Sequence, residues 1–319
     1  MNLLVVIVNY RTADLTVDCL RSLAESGCSL TGQVVVADND SRDGSVPLIR
    51  SKVSEAGWNQ WVDILSLPRN GGFAYAVNFV IERARRSLDP PEFVLLLNPD
   101  TLVLPGALVA LLEFMRATPD ASIAGSRLEH VGGVVQRSAF RFHTVLSELE
   151  GTLRIGSVTR LLSRHVAAPP APDRPTRTDW VPGAGMLIRS RVFEKIGLFD
   201  EGYFLYYEDM DFCRRAAEAG MLCWYVPASR IVHLHGGSTG LNWRNPVERV
   251  PAYWFASRRR YFVKSFGRAY AALADLAWLA GMLGRRLRRA NDRHADWDPP
   301  RYIGDFLRNS VLVKVGRAR

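Results

Sequence analysis

Asp100 is a carboxylate placed where a buried strand is predicted to end. Five apolar residues, Phe93 to Leu97, precede Asn98 and Pro99, and proline lacks the N–H that would continue a strand ladder. Ligands collect at the carboxyl ends of strands in open α/β sheets, where a carboxylate suits a hard divalent cation that also binds phosphate. Taken alone, these residues fit a metal-binding loop and a simple Asx-type turn about equally well.

Two histidines are the second group that could bind a metal. His233 and His235 lie in an apolar segment, and alternation along a strand would place both on one face. Glycines follow at once, which would give a ligand access to that face. We therefore favour a site over a packing role for these histidines, and the sequence does not choose between them.

Acidic residues cluster at the start of a predicted helix that ends near Gly220. Glu208, Asp209 and Asp211 follow an aromatic-rich segment, Phe199 to Tyr207. One carboxylate would satisfy a helix N-terminus, so three exceed what capping needs.

The elements that would position these residues follow an α/β pattern. Four apolar strands are predicted at 3–8, 34–37, 62–67 and 93–97, with helical segments between them, which indicates right-handed crossovers and a parallel sheet. Residues 9–11, 38–45 and 70–78 would then share one edge, where Gly71 and Gly72 would let backbone N–H groups approach a phosphate. Beyond Ile123 the strands look antiparallel, and the segment rich in Pro, Ala and Arg from Ser163 to Thr178 is predicted to be a surface loop.

Length and composition exclude several classes of protein. The 319 residues are 48% hydrophobic, enough for one large domain or two small ones, and no apolar run reaches the ~18 residues of a membrane span. A strand begins at Leu3, so we expect no signal peptide. The four cysteines lack metal-type spacing and are expected to be reduced in a cytoplasmic protein.

Positive charge is concentrated at the end of the chain. The net charge is +9, and residues 258–319 hold fifteen Lys and Arg against five Asp and Glu. This pattern favours a phosphate-rich partner or an anionic membrane surface over nucleic acid. The Trp-bearing segment from Tyr270 to Leu283, followed by four arginines, fits an interfacial helix and a helix packed on its own domain or on a second copy equally well.

Together these motifs resemble the family-2 glycosyltransferases of the GT-A fold, over about Leu3 to Phe266. The segments that carry the resemblance are 8–10, 38–45, 70–78, 98–100, 183–185 and 208–211, together with His233. The resemblance implies a Rossmann-like, mostly parallel sheet flanked by helices. It implies a domain over 1–266, with a nucleotide-binding half at about 1–120 and an acceptor half at about 121–266. A basic, amphipathic helical extension would follow at 267–319.

The resemblance also implies a role for individual residues. Asp209 matches the catalytic base, with Glu208 beside it. Nucleotide-sugar binding is assigned to Val8, Tyr10, Arg11, Asp38, Asn70, Asn78, Asn98 and Asp100. Acceptor binding is assigned to Trp180, Gly183, Gly185, Asp211, Arg258 and Arg260. Mg²⁺ or Mn²⁺ would be held by Asp100 and His233, with His235 as the alternative ligand. Asn98 replaces the first carboxylate of the usual metal motif, which implies weaker metal binding.

The implied reaction is an inverting sugar transfer from a nucleotide diphosphate. General similarity is greatest to bacterial rhamnosyltransferases of polysaccharide synthesis, so dTDP-rhamnose is the expected donor, with UDP-hexose, UDP-GlcNAc and UDP-galactofuranose as alternatives. The expected acceptor is a glycan or a polyprenyl-diphosphate-linked sugar, at the inner face of the membrane. A homodimer is a further expectation. A sugar nucleotidyltransferase and a binding protein without catalysis are the competing hypotheses.

Overall fold

The computed structural model describes residues 3–27, 33–234, 249–289 and 298–313. Within these residues the strands are β1 (Leu3–Asn9), β2 (Gln33–Asp38), β3 (Val62–Ser66), β4 (Phe93–Leu97), β5 (Thr101–Val103), β6 (Ala121–Glu129), β7 (Thr176–Thr178), β8 (Met186–Arg189) and β9 (Leu222–His233). The helices are α1 (Ala13–Glu25), α2 (Ser45–Glu55), α3 (Phe73–Arg85), α4 (Ala107–Ala117), α5 (Val145–Leu153), α6 (Gly156–Leu161), α7 (Ser190–Ile196), α8 (Glu208–Glu218), α9 (Ala252–Arg289) and α10 (Tyr302–Asn309).

The first four strands form the parallel part of the sheet that the sequence predicts. Their order is β3-β2-β1-β4, and every residue of β1 and β4 is buried. Strands covered on both faces read as continuous apolar runs, which is why these segments could be located from sequence. Their carboxyl ends form one edge, which carries Asn9, Asp38 and Asp100.

Beyond β4 the sheet is mixed, so a mostly parallel sheet describes only its first half. β8 runs antiparallel to both β4 and β6, whereas β9 runs parallel to β6. β5 and β7 both pair with β9 in antiparallel register. β7 lies inside the segment predicted to be a loop, so that prediction was wrong for Thr176–Thr178, where three residues add to a sheet edge through backbone bonds that need no apolar pattern.

The described residues divide into two compact units. The first unit contains Met1–Phe140, Pro170–Phe204 and Glu208–Gly240, and it includes the whole sheet. The second unit contains Arg141–Pro169, Leu205–Tyr207 and Leu241–Arg319. The domain boundary expected after residue 266 therefore falls inside the second unit, because α9 packs with α5 and α10 into one body.

Helix α9 is interrupted at Gly267, whose φ of 82° and ψ of 170° are not helical. This break separates a first helical stretch, which ends at Phe266, from the Trp-bearing stretch that the sequence predicts from Tyr270. Trp278, in the second stretch, is buried and stacks on Phe306 of α10 with ring centroids 3.8 Å apart. Of the helices that the structure describes, none is both long enough and apolar enough to cross a bilayer.

Candidate active site

Asp38 occupies the centre of a polar cluster at the ends of β1 and β2. Asn9 lies opposite Asp38 in the parallel register, and its side-chain amide donates to Asp38 Oδ1 at 2.6 Å. The hydroxyl of Ser41 donates to the same oxygen at 2.6 Å, and the Ser41 N–H donates to Oδ2 at 3.1 Å. These donors fix the carboxylate, which suits its assigned role of accepting from a nucleotide base.

The loops around Asp38 hold strained backbone. Arg11, Asp40 and Arg42 all adopt positive φ, at 57°, 60° and 53°, although none is glycine. The Arg11 N–H and guanidinium both bond to Ser41, which ties the two loops together. Val8 is buried at the end of β1, whereas Tyr10 is exposed with the Arg11 guanidinium 5.2 Å from its ring centroid. Strain of this kind persists where the surroundings enforce it, often at ligand sites.

Asn39 connects the Asp38 loop to the glycine loop before α3, a role that the sequence alone did not assign. Its side-chain nitrogen donates to Asn70 Oδ1 at 2.9 Å and to the Gly72 carbonyl at 3.1 Å. Its side-chain oxygen accepts from the Gly71 N–H. Asn70 Oδ1 also accepts from the Gly72 N–H, so the Asn70 carbonyl shapes the loop and its amide nitrogen is the atom left for a nucleotide.

Gly72 is required in this loop by conformation and by space. Its φ is +88°, and a Cβ would lie 2.1 Å from the Phe204 carbonyl oxygen. We expect Gly72→Ala to lower the free energy of unfolding by at least about 2 kcal/mol, because strain and a backbone clash add. Gly106→Ala is the matched control, since Gly106 also caps a helix at φ +79° with open space around it. Chemical denaturation would measure the free energy of unfolding of both variants. An equal loss of stability in the two would contradict a clash at position 72.

The side chain of Asn78 is hydrogen-bonded within the protein. It is therefore not available to a nucleotide, although the family resemblance implied that contact. Its amide nitrogen donates to the Phe199 carbonyl at 2.9 Å and to Glu201 at 3.0 Å. Its oxygen accepts from the Phe199 N–H at 3.0 Å. The side chain is buried and holds the segment before α8 against α3. This partnership spans about 120 residues of sequence, which local patterns do not reveal.

Asp100 and His233 are brought together by the pairing of β5 with β9. His233 lies opposite Thr101 in this antiparallel ladder, and the Leu234 N–H donates to the Asp100 carbonyl. His233 Nε2 is 3.5 Å from Asp100 Oδ1, and both side chains are largely buried. Gln136, which the sequence reading missed, donates from its amide to the His233 carbonyl at 2.7 Å and so fixes the backbone of that residue.

This donor set fits a divalent cation. Carboxylate oxygen suits Mg²⁺ and Mn²⁺, and imidazole nitrogen adds an acceptable transition-metal ligand. In the described part of the chain, no group of three or more His, Cys, Asp or Glu residues could hold a metal. A two-residue site leaves coordination positions for diphosphate oxygens and water. Asn98 is half-buried beside it and accepts from the Thr101 hydroxyl through its carbonyl, while His235 lies outside the described residues.

Asp209 lies at the start of α8, where two backbone N–H groups hold its carboxylate. Met210 donates to Oδ1 at 2.8 Å, and Gly183 donates to Oδ2 at 3.3 Å. Gly183 precedes β8, and a Cβ there would press on the ring of Phe73. A larger residue at position 183 would require the Phe73 ring to shift, and this would disturb the N–H that donates to Asp209.

The strand register brings this carboxylate to the edge that carries Asp100. β4 and β8 are antiparallel, with Leu96 opposite Met186. The turn Gly183–Gly185 before β8 and the turn after Leu97 therefore leave the sheet at the same edge. A Cβ on Gly185 would meet Ile231 and Ser126 at 3.0 and 3.2 Å, so a larger residue there would require those side chains to shift. The carboxylate expected to act as base and the residues expected to bind the metal therefore lie at the same edge of the sheet.

Burial sets the acidity of the two adjacent carboxyl groups. It raises the pKa of Asp209 to about 6, against the opposing N–H groups of Met210 and Gly183. Burial and the charge of Asp209 raise the pKa of Glu208 well above its ordinary value. Among the described atoms, Glu208 Oε2 has no hydrogen-bond partner. The raised pKa favours the protonated form of Glu208, which makes Asp209 the stronger candidate for a general base.

The pKa of Asp209 predicts the acid limb of the activity profile. A base must be ionised, so kcat/KM of the free enzyme should fall about tenfold per pH unit below a pKa near 6 and level off above it. A pH series of initial rates at constant ionic strength would measure this limb. An acid limb near pH 4, the ordinary value for aspartate, would show that burial does not govern this group.

Several residues expected to bind the acceptor have structural roles instead. Asp211 is buried, accepts from Tyr203 at 3.2 Å, and pairs with Arg215 at 2.9 Å. Arg258 is buried in the second unit between Glu148 and Asp275, so it cannot reach an external phosphate.

Two other expected acceptor residues are accessible. Trp180 is half-buried and stacks on Phe140 with ring centroids 4.4 Å apart. Arg260 is exposed and lines a cavity of about 300 Å³ with Arg259, Val263 and Lys264. An acceptor role for these two remains a prediction.

Comparison with known proteins identifies the family. Residues 4–170 match Glycosyl transferase family 2, and residues 93–288 match Glycosyl transferase family group 2. The chain belongs to glycosyl transferase family 2. Over 232 residues it is 30% identical to an N-acetylglucosaminyl-diphospho-decaprenol L-rhamnosyltransferase of Mycobacterium tuberculosis, covering 69% of this chain and 71% of that protein. It is 25% identical to the dTDP-rhamnosyl transferase RfbF of Shigella flexneri, covering 74% of this chain and 70% of that protein.

Solved structures agree on the fold. The structure of GalNAc-T7 with UDP, GalNAc and Mn²⁺ superposes with a TM-score of 0.60 at 15% identity, covering 86% of this chain and 51% of that one. The GT-A fold expected from sequence is confirmed. The family match and the similarity to a rhamnosyltransferase support a hexosyltransferase-type enzyme over the nucleotidyltransferase and the non-catalytic binding protein.

Proposed function

We propose that this glycosyltransferase moves rhamnose from dTDP-rhamnose to a polyprenyl-diphosphate-linked sugar, with inversion at the anomeric carbon. The supporting observation is the similarity to rhamnosyltransferases, which covers 69% of this chain for one relative and 74% for another. Two relatives named for rhamnose transfer match at 30% and 25% identity. One of them is named for a decaprenol-diphosphate acceptor, which supports a lipid-linked acceptor here.

The reaction is a single displacement. The acceptor hydroxyl oxygen attacks the anomeric carbon as the bond from that carbon to the phosphate oxygen breaks, and the bonding electrons leave with dTDP. Asp209 takes the hydroxyl proton, while the N–H groups of Gly183 and Met210 keep its carboxylate oriented. A pKa near 6 leaves Asp209 mostly ionised at pH 7 and still basic enough to accept the proton.

Charge builds on the departing diphosphate in the transition state. A divalent cation held by Asp100 and His233 would supply Lewis-acid stabilisation to those oxygens. Asp38 orients the pyrimidine ring, and the loop shaped by Asn39 and Asn70 borders the nucleotide.

A donor panel tests the assignment. The full chain is incubated with N-acetylglucosaminyl-diphospho-polyprenol and either dTDP-rhamnose, UDP-glucose, UDP-GlcNAc or UDP-galactofuranose. We expect acceptor-dependent release of dTDP from dTDP-rhamnose alone, and a product whose anomeric configuration by NMR is opposite to that of the donor. Turnover of a UDP-sugar in preference would reject rhamnose, and retained configuration would reject the single displacement.

Removal of metal should abolish transfer. With Asp100 and His233 as its only described ligand candidates, and Asn98 in place of a further carboxylate, the site should bind its ion loosely and lose it to a chelator. We expect EDTA treatment to lower kcat by at least about 100-fold, with recovery on adding Mn²⁺ or Mg²⁺. Titration of Mn²⁺ by calorimetry should show binding that is lost in Asp100→Asn. Full activity after chelation would exclude a metal-dependent reaction.

A further inference from the structure

The second stretch of α9, after Gly267, has one buried face. Ala271, Ala274, Trp278 and Met282 are all at most 3% exposed and recur at helical spacing. Trp278 and Met282 pack with Phe306 in the core of the second unit. The tryptophan that suggested a membrane anchor from sequence is therefore unavailable for one.

The opposite face of the same helix is apolar and exposed. Leu273, Leu276, Leu283 and Leu287 are 55%, 51%, 56% and 77% exposed. Spacings of three, seven and four residues place them in one stripe along the helix. Soluble surfaces rarely leave four leucines aligned without a partner, so this stripe indicates a docking surface.

The charges beside this leucine stripe are basic. Arg268, Arg286 and Arg288 are exposed at its two ends. Arg286 shares the carboxylate of Asp298 with Arg285, so two guanidinium groups face one carboxylate at that end and the charge there stays positive. The only acidic residue from 268 to 288 is Asp275, which is buried against Arg258 at 2.5 Å. An apolar stripe with positive charge at both ends complements a bilayer that contains anionic lipid.

We infer that the leucine stripe seats this enzyme on an anionic membrane surface, with the helix lying in the interface. This inference deepens the proposed function, because it would keep the enzyme on the surface that carries a polyprenyl-linked acceptor. A second copy of the chain fits less well. A parallel pair would bring Arg286 and Arg288 against themselves, and an antiparallel pair would bring them against Arg268, which is like-charge repulsion in both cases.

Vesicle sedimentation of the full chain tests the surface without donor, acceptor or metal. Vesicles contain phosphatidylcholine alone or with about one third phosphatidylglycerol. The test variant is Leu276→Gln/Leu283→Gln, which keeps the charge and the buried face. The matched control is Leu88→Gln/Val131→Gln, because both residues are exposed and lie in the first unit. A chain shortened before α9 ends is not used, because it would remove Trp278 from the core of the second unit.

We expect the wild-type chain and the control to bind the anionic vesicles and not the neutral ones. The leucine variant should bind at least about tenfold more weakly, and added salt should weaken wild-type binding. Equal binding of variant and control would overturn the assignment, as would absence of wild-type binding. Light scattering is the second measurement, and a dimer that only the leucine variant disrupts would assign the stripe to a second copy. Failure of the donor panel with intact vesicle binding would reject the rhamnose assignment alone.

Discussion

Asp209→Asn should lower kcat by more than about 100-fold while leaving the dissociation constant for dTDP-rhamnose nearly unchanged. Asparagine keeps the shape of the side chain but cannot take the acceptor proton. Its oxygen can still accept from Gly183 or Met210, so the start of α8 should stay in place. The loss should therefore appear in the chemical step and not in donor binding.

Glu208→Gln is the matched control for this variant. Burial and the charge of Asp209 raise the pKa of Glu208 and favour its protonated form, so the change from carboxyl to amide should alter kcat less than about threefold. Single-turnover rates and donor titration would be measured for both variants. Normal turnover in Asp209→Asn would remove Asp209 from the role of base, and a large loss in Glu208→Gln would assign the proton transfer to the pair.

Arg258→Met should destabilise the protein by about 3–5 kcal/mol. The guanidinium lies 2.8 Å from Glu148 and 2.5 Å from Asp275, with all three side chains at most 5% exposed. Methionine preserves much of the volume but leaves two buried carboxylates without their cation. Ser310 and the Val311 N–H also bond to Asp275, so the end of the chain should loosen as well.

Urea unfolding followed by tryptophan fluorescence would measure this loss. Arg86→Met is the control, because Arg86 is 81% exposed and lies 3.9 Å from its partner, Glu82. Exposed pairs of this kind contribute at most about 1 kcal/mol. A small effect of Arg258→Met would mean that Glu148 and Asp275 take up protons at little cost. The double variant Glu148→Gln/Arg258→Met should then be no more stable than the single one.

Sequence patterns predicted the features that depend on local order. Apolar runs located β1 and β4 because strands buried on both faces need no alternation. The position of Asp100 after a proline-ended strand placed it at the correct sheet edge. The pairing with His233 was expected only from family resemblance, and the structure provides its cause in the register of β5 and β9.

The features that sequence did not reveal depend on partners far along the chain. Asn78 contacts the Phe199 backbone, and Arg258 contacts Glu148, in each case across more than a hundred residues. Arg258 belongs to a run of three arginines that looks like a solvated surface. Burial is the largest cause of the raised pKa of Asp209. Burial is a property of the folded surroundings, so spacing alone could not supply it.

The second unit consists of three separated parts of the chain. This arrangement limits which segments can be exchanged between this enzyme and its relatives in a chimera. A chimera that exchanges only the C-terminal part would present a foreign helix to the native Glu148, the partner of Arg258. A stable chimera should therefore require residues 141–169 and 205–207 to be exchanged together with the C-terminal helices.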